Sequence, residues 1–241
     1  MKPTELLYLS DMQQLESKAY VDSIEQKDGK SVVYLEQTIF YPQGGGQPYD
    51  TGIMTNGEST FIVEEVRFAD GRVLHIGHFE GMPFMQGEDV ACRVDKERRV
   101  LNTRLHSGGH ALDMAVSELG YTWVPAKGYH FPDGPYVEYQ GDLKGETVEA
   151  VIAKLNEKIN EILGRGITTE VVFVTKDELA KLCRHVPENL PKDKPCRAVL
   201  YGNFGIPCGG THVAALSDIG GETVRKIRAN GVTIRVSYEL Q

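Results

Sequence analysis

The sequence predicts an α+β protein, with an N-terminal antiparallel β-barrel over residues 1–95 and an α+β domain over 96–241. Three observations lead there. Before residue 95, β-rich runs meet at Gly-containing turns and no strong helical segment intervenes. After it, two segments carry apolar residues at helical spacing. The chain then closes on an Asn-Gly hairpin, with no βαβ repetition to suggest a parallel sheet.

In the barrel region, "AYVDSIEQKDGKSVVYLEQTIF" reads as two strands around Asp28-Gly29. "FIVEEVRFADGRVLHIGHF" repeats the device at Asp70-Gly71, and "DVACRV" adds a strand after Gly87. The pattern then changes. Leu101, Leu105, Leu112, Val116 and Leu119 follow helical spacing up to a stop at Gly120. A second helix has Val148, Ile152, Leu155, Ile159 and Ile162 on one stripe and ends at Gly164. "TTEVVFVT" is a strand, and Thr175 with Glu178 has capping-box spacing for a third helix. The last hairpin turns at Asn230-Gly231.

Composition narrows the function classes. With 241 residues, 41% hydrophobic and 25% charged, the chain has the make-up of an ordinary soluble protein able to bury a real core. No run nears the roughly 18 apolar residues that span a bilayer, and the first residues lack a signal-peptide pattern, so a cytoplasmic location and no membrane partner are expected. Four irregularly spaced cysteines argue against a disulfide framework and leave metal ligation or inert burial. A net charge of −8 disfavours non-specific nucleic-acid binding as the main activity, while leaving room for local basic patches.

The chemistry-bearing residues fall in two short windows. In "RLHSGGHAL", His106 and His110 stand four apart, the spacing of two imidazoles on one helical face. In "YGNFGIPCGGTHV", Cys208 and His212 repeat that spacing. Three imidazoles and a thiolate suit zinc. Ser107 stands where a metalloprotease needs its Glu, so a peptidase is not expected. Gly108 and Gly109 each cost a helix interior about 1 kcal/mol relative to Ala. They read as room beside a metal for an approaching substrate.

The order His106-Ser-Gly-Gly-His110, then Cys208-Gly-Gly-Thr-His212, resembles the paired zinc motif of alanyl-tRNA synthetase editing domains and of the AlaX trans-editing deacylases. "FYPQGGGQPYDTG" is similar to the glycine-rich stretch before that domain, and the likeness runs from the barrel to the final hairpin. The resemblance implies an editing domain of the alanyl/threonyl-tRNA synthetase type. It implies zinc on His106, His110, Cys208 and His212, aminoacylated alanine tRNA as partner, and hydrolysis of wrongly attached serine, with glycine as a second substrate. A chain of this length lacks room for a synthetase catalytic domain, so a free-standing editor with an added barrel is expected. Two positions depart from the family pattern. Gly109 stands where threonine is common and Ala126, on "VPAKGYHF", where glutamine is common. Both bear on serine recognition, so either another polar residue compensates or selectivity is looser.

The remaining candidates carry two readings each. Asp113 orients His110 from the same helical side, or is an exposed helical acid. Thr211, with the amides of Gly209 and Gly210, donates to the ester carbonyl, or serves the turn. Gly44, Gly45 and Gly46 line the pocket or acceptor end, or form a flexible turn. Lacking the Gly-Lys-Ser/Thr ending of a P-loop, they are not expected to bind ATP. Arg98, Arg99 and Arg104 with Lys96, and the hairpin cluster Arg225, Lys226, Arg228 and Arg235, contact tRNA phosphates or form solvated charged faces. Cys183 and His185 in "LCRHVPENLPKDKP" fit a surface loop better than a second ligand pair. His75 and His78 receive no role, and Trp123 and Tyr129 fit packing better than base stacking. Four protein ligands describe a closed structural zinc, whereas catalytic zinc keeps an open position, so the role of the metal stays open at this stage. The alternatives to the deacylase are a non-catalytic tRNA-binding module with a structural zinc and a zinc hydrolase of small esters or amides.

Overall fold

A computed structural model describes residues 2–187, 190 and 195–241. Its strands are β1 (Glu5–Leu6), β2 (Glu16–Lys27), β3 (Lys30–Leu35), β4 (Gln37–Thr38), β5 (Gly52–Thr55), β6 (Thr60–Ala69), β7 (Arg72–Glu80) and β8 (Asp89–Val94). Helix α1 (Lys96–Glu118) follows, then β9 (Val124–Tyr129), β10 (Tyr136–Gln140), α2 (Val148–Gly164), β11 (Thr169–Val174) and α3 (Lys176–Leu182). The chain ends with β12 (Cys196–Tyr201), β13 (Phe204–Pro207), β14 (Glu222–Asn230) and β15 (Thr233–Leu240).

Contacts divide the chain into two units, Met1–Gly44 with Pro48–Leu101 and Gly45–Gln47 with Asn102–Gln241. The first is a closed antiparallel barrel in the order β2-β3-β7-β6-β5-β8, with β8 pairing back onto β2. Asp28 and Asp70, each in a left-handed conformation before a glycine, make the two hairpin turns where the sequence placed them. Alternating residues such as Val33, Leu35, Phe61, Val63, Val73 and Val90 fill the barrel.

The second unit packs helices on an antiparallel sheet in the order β14-β15-β10-β9, and a smaller sheet β11-β12-β13 adjoins. Leu105, Leu112 and Val116 of α1 enter its core with Val137, Tyr139, Val236 and Tyr238 of the sheet. Leu101, expected on the same face of α1, is exposed. Helix α2 buries Leu155, Ile159 and Ile162 as expected, while in its first turns Val151 is the buried residue and Val148 and Ile152 lie partly buried at the edge of the stripe. The capping box at Thr175 is formed on both sides. No helix among the described residues is long and apolar enough to cross a membrane.

Candidate metal centre

Helix α1 carries His106 and His110 one turn apart, and the loop after β13 brings Cys208 and His212 to them. Their ligand atoms all lie within 4.8 Å of one another. Nε2 of His106 stands 3.0 Å from Nε2 of His110 and 3.1 Å from the Cys208 sulfur. Each outer partner orients a ring. Nδ1 of His110 faces Asp113 at 3.4 Å, and Nδ1 of His212 faces the Tyr201 hydroxyl at 2.7 Å. Asp113 is itself fixed by the Tyr139 hydroxyl, which donates to it at 2.6 Å. The Arg197 guanidinium donates to the carbonyls of Cys208 and Gly210, bracing the loop that carries the thiol.

This donor set fits a metal. Imidazole lone pairs and a thiolate converging in a buried space repel unless a cation or a proton lies among them. Without a metal, burial drives His106 and His212 far below the ordinary imidazole value. Burial opposes charging of His110 too, but the bonds to Asp113 and Cys208 outweigh it and lift this ring to about 9. Burial likewise works against the Cys208 thiolate, but His110, with the Gly210 amide and Arg197, outweighs it and lowers the thiol. A bound cation would compete with protons for these ring nitrogens and the sulfur. Three imidazoles and one thiolate are compatible with zinc.

A cavity of about 740 Å³ opens against the cluster. His106, His110 and Cys208 line it, with Gly45, Ala126 and Gly209, while His212 is fully buried behind them. One side of the ligand set is thus open to a guest molecule.

The glycines of the helix motif have a different use from the one the spacing suggested. A Cβ on Gly109 would stand 2.3 Å from the ring of His130, and one on Gly108 would press on Glu222, Tyr238 and Leu240. The space beside these two glycines is filled by the protein itself, so they permit close packing of the helix on its neighbours rather than entry of substrate. His130 follows β9, lines the cavity and lies ring to ring with His106 at 4.8 Å between centroids. The Tyr238 hydroxyl donates its single proton to the Leu105 carbonyl at 2.7 Å. Its 2.7 Å contact with Nδ1 of His130 must therefore be accepted, so Nδ1 carries the ring proton and Nε2 is the bare acceptor. Burial holds this ring neutral, its pKa lowered to about 3.

Other expected site residues fall differently. Thr211 is fully buried, with its hydroxyl between Gln47 (2.9 Å) and Thr103 (2.7 Å) and its amide donating to Gln47 Oε1 (3.0 Å). Its polar atoms are spent on holding Gln47, so it is not placed to donate to an ester carbonyl. Arg99 is buried, binding Asp50 with two nitrogens and the Ile39 carbonyl, so it is a structural ion pair of the first unit and not a phosphate contact. Arg104 is likewise occupied, donating to the carbonyls of Ile219 and Gln241. Arg98 donates to the Tyr49 carbonyl and lies over the Tyr49 ring. Gly45 and Gly46 reach the site, the latter accepting from the His130 amide at 2.8 Å, whereas Gly44 is tied to the Tyr41 hydroxyl. Cys183 is buried and His185 lies on the cavity rim, both apart from the cluster, and the Pro-rich run beyond them falls partly outside the described residues.

Sequence reasoning passed over His130 and Gln47. Neither belongs to a spaced motif. The available signal for His130 was strand alternation in "KGYHF", which sets it on the face opposite Tyr129.

Comparison with known proteins finds relatives that act on or charge alanine tRNA by name. A family model described as tRNA synthetases class II (A) matches residues 6–98. The alanyl-tRNA editing protein AlaX-L of Pyrococcus horikoshii is 30% identical over 219 residues, covering 90% of this chain and 52% of that protein. Alanine–tRNA ligases of Methanoculleus marisnigri and Cupriavidus necator are 31% and 28% identical, over 91% and 78% of this chain but 24% and 22% of their own lengths. The chain thus spans about half of the AlaX-L protein and about a quarter of the ligases.

Proposed function

Because the chain belongs to the family of AlaX-type alanyl-tRNA editing proteins and alanine–tRNA ligases, we propose that it hydrolyses the ester of mischarged alanine tRNA, seryl first and glycyl second. The observation that carries this reading is the one-sided exposure of the ligand set. Three zinc-type ligands face a cavity large enough for an aminoacyl group, and the fourth anchors from behind. Such an opening favours a working metal over a sealed structural one.

Bound to His106, His110, Cys208 and His212, zinc would supply a Lewis-acidic charge beside the developing oxyanion. The chain's own groups do the rest. Asp113 and Tyr201 keep His110 and His212 turned with Nε2 inward. The Gly209 segment and Gly45 form a wall without side chains along which the acyl ester can lie. His130 offers Nε2 as an acceptor. At a pKa of about 3 it is too weak a base to take a proton near neutrality, so its part is to orient a hydroxyl or a water. It is also the polar group that Gly109 and Ala126 cannot provide. A serine hydroxyl satisfies Nε2, while an alanine methyl leaves it unpaired.

The test is incubation with seryl-, glycyl- and alanyl-alanine tRNA, with and without a chelator. Seryl ester should be cleared fastest, and chelation should stop the reaction. Efficient cleavage of correctly charged alanyl-tRNA would sink the editing assignment.

A further inference from the structure

The sheet that presents His130 to the metal side carries a second surface on its opposite face. Cross-strand pairing sets Lys226, Ser237, Tyr136 and Tyr129 in one row and Arg228, Arg235, Glu138 and Lys127 in the next. Neighbours in such rows point the same way, and the intervening residues Ile227, Val236 and Val137 point into the core. A groove of about 450 Å³ lies on this outer face, lined by Tyr136, Arg225, Lys226, Arg228 and Arg235.

Two features give the groove its chemistry. The first is charge. Four cations meet two carboxylates, with Arg235 held by Glu138 at 2.6 Å and Arg225 by Glu239 at 3.4 Å. Lys226 and Arg228 are exposed and make no ion pair among the described residues. In a chain of net charge −8, so local a positive surface selects a polyanion. The second is an aromatic column. Tyr129 stacks between Phe131 (4.5 Å) and Tyr136 (5.2 Å), each at 15°, and the Arg235 guanidinium continues the column 4.2 Å over Tyr136. The column is partly exposed, a wall for a ribose or base beside the cations of the groove.

We propose that this groove binds the phosphodiester backbone of the tRNA whose acyl end enters the metal-side cavity. The proposal rests on the editing reading for the identity of the RNA. The two surfaces are the two faces of one sheet, and β9 is its edge strand, around which the acceptor end passes from one face to the other.

The experiment measures binding of uncharged alanine tRNA across a salt series. The double variant Lys226→Glu/Arg228→Glu is compared with Lys18→Glu/Lys27→Glu, an equal charge change at exposed barrel positions. The groove variant should bind at least about tenfold more weakly at low salt, with the slope of log Kd against log salt reduced by about 1.5. The milder Lys226→Gln/Arg228→Gln should give the same slope change with a smaller loss. Unchanged binding, or an equal loss in the barrel control, overturns the proposal. Loss of heparin retention with tRNA binding intact overturns it too, assigning the groove to another polyanion. Failure of the unaltered protein to deacylate would sink the editing reading alone, because binding of uncharged tRNA is read separately.

Discussion

Buried histidines occur in both units, and the contrast between them separates a packing residue from a ligand. In the barrel, His75 is fully enclosed, and both ring nitrogens have partners, Thr38 at 2.8 Å and the Val33 carbonyl at 2.9 Å. Burial pushes its pKa down to about 4, and the neutral ring is complete as it stands. In the second unit, His106 and His110 turn their Nε2 atoms on each other at 3.0 Å, with a thiol beside them, and Nδ1 of His106 has no hydrogen-bond partner among the described residues. All three rings are buried. What differs is whether each lone pair already has a donor, and an incomplete set calls for a cation.

The largest effect that tests this contrast is metal dependence. Replacing His110 or Cys208 with Ala should abolish stoichiometric zinc and lower deacylation by at least about a hundredfold, since a metal's charge stabilisation is worth several kcal/mol. Replacing His75 with Gln should leave metal content unchanged. Elemental analysis and single-turnover hydrolysis read both. Metal loss in the barrel variant would erase the distinction.

Acid stability comes next. His75 titrates at about 4 when folded and near 6.5 when unfolded, so the unfolded chain binds more protons between those values. Its contribution is complete above pH 6.5 and is lost as pH falls toward 4. The whole window is worth about 3 kcal/mol. Hydrogen exchange at barrel amides should show this weakening, and His75→Gln should flatten it. An unchanged pH profile in that variant would mean that other groups govern the barrel.

Much of this architecture was legible because local signals agreed with the fold. Asp-Gly and Asn-Gly turns marked the hairpins, and three-and-four spacing marked both long helices. The clustering of the four candidate ligands was legible because each pair lies within one turn or one loop. The rest depended on distant partners. Arg99 looked like a phosphate contact until Asp50 met it inside the first unit, and Thr211 looked like a donor until Gln47 took its hydroxyl and amide. A charge or hydroxyl in sequence says nothing about which partner will occupy it after folding. The hydrophobic period fixes which face is buried, and leaves open what the buried polar atoms bond.

His130 falls between the two kinds of histidine, and it supplies the smallest and sharpest test. One nitrogen is satisfied through Tyr238, as in His75, and the other is open, as in the metal cluster. Its position depends on the missing side chain at Gly109, where a Cβ would stand 2.3 Å from the ring. Gly109→Ala should therefore lower stability by about 1–3 kcal/mol through overpacking, even though alanine is the better helix former by about 1 kcal/mol. In a His130→Ala background the same change meets no ring, and the helix propensity should show through as a neutral or favourable effect. The coupling between the two sites, read from chemical denaturation of the four proteins, should exceed about 1 kcal/mol. Zinc content should hold in all four. The single variant that keeps zinc should still lose preference for seryl over alanyl ester, because the displaced ring no longer presents Nε2. If Gly109→Ala is neutral alone and selectivity is unchanged, the ring has room to move aside, and the glycine has no part in setting the acceptor.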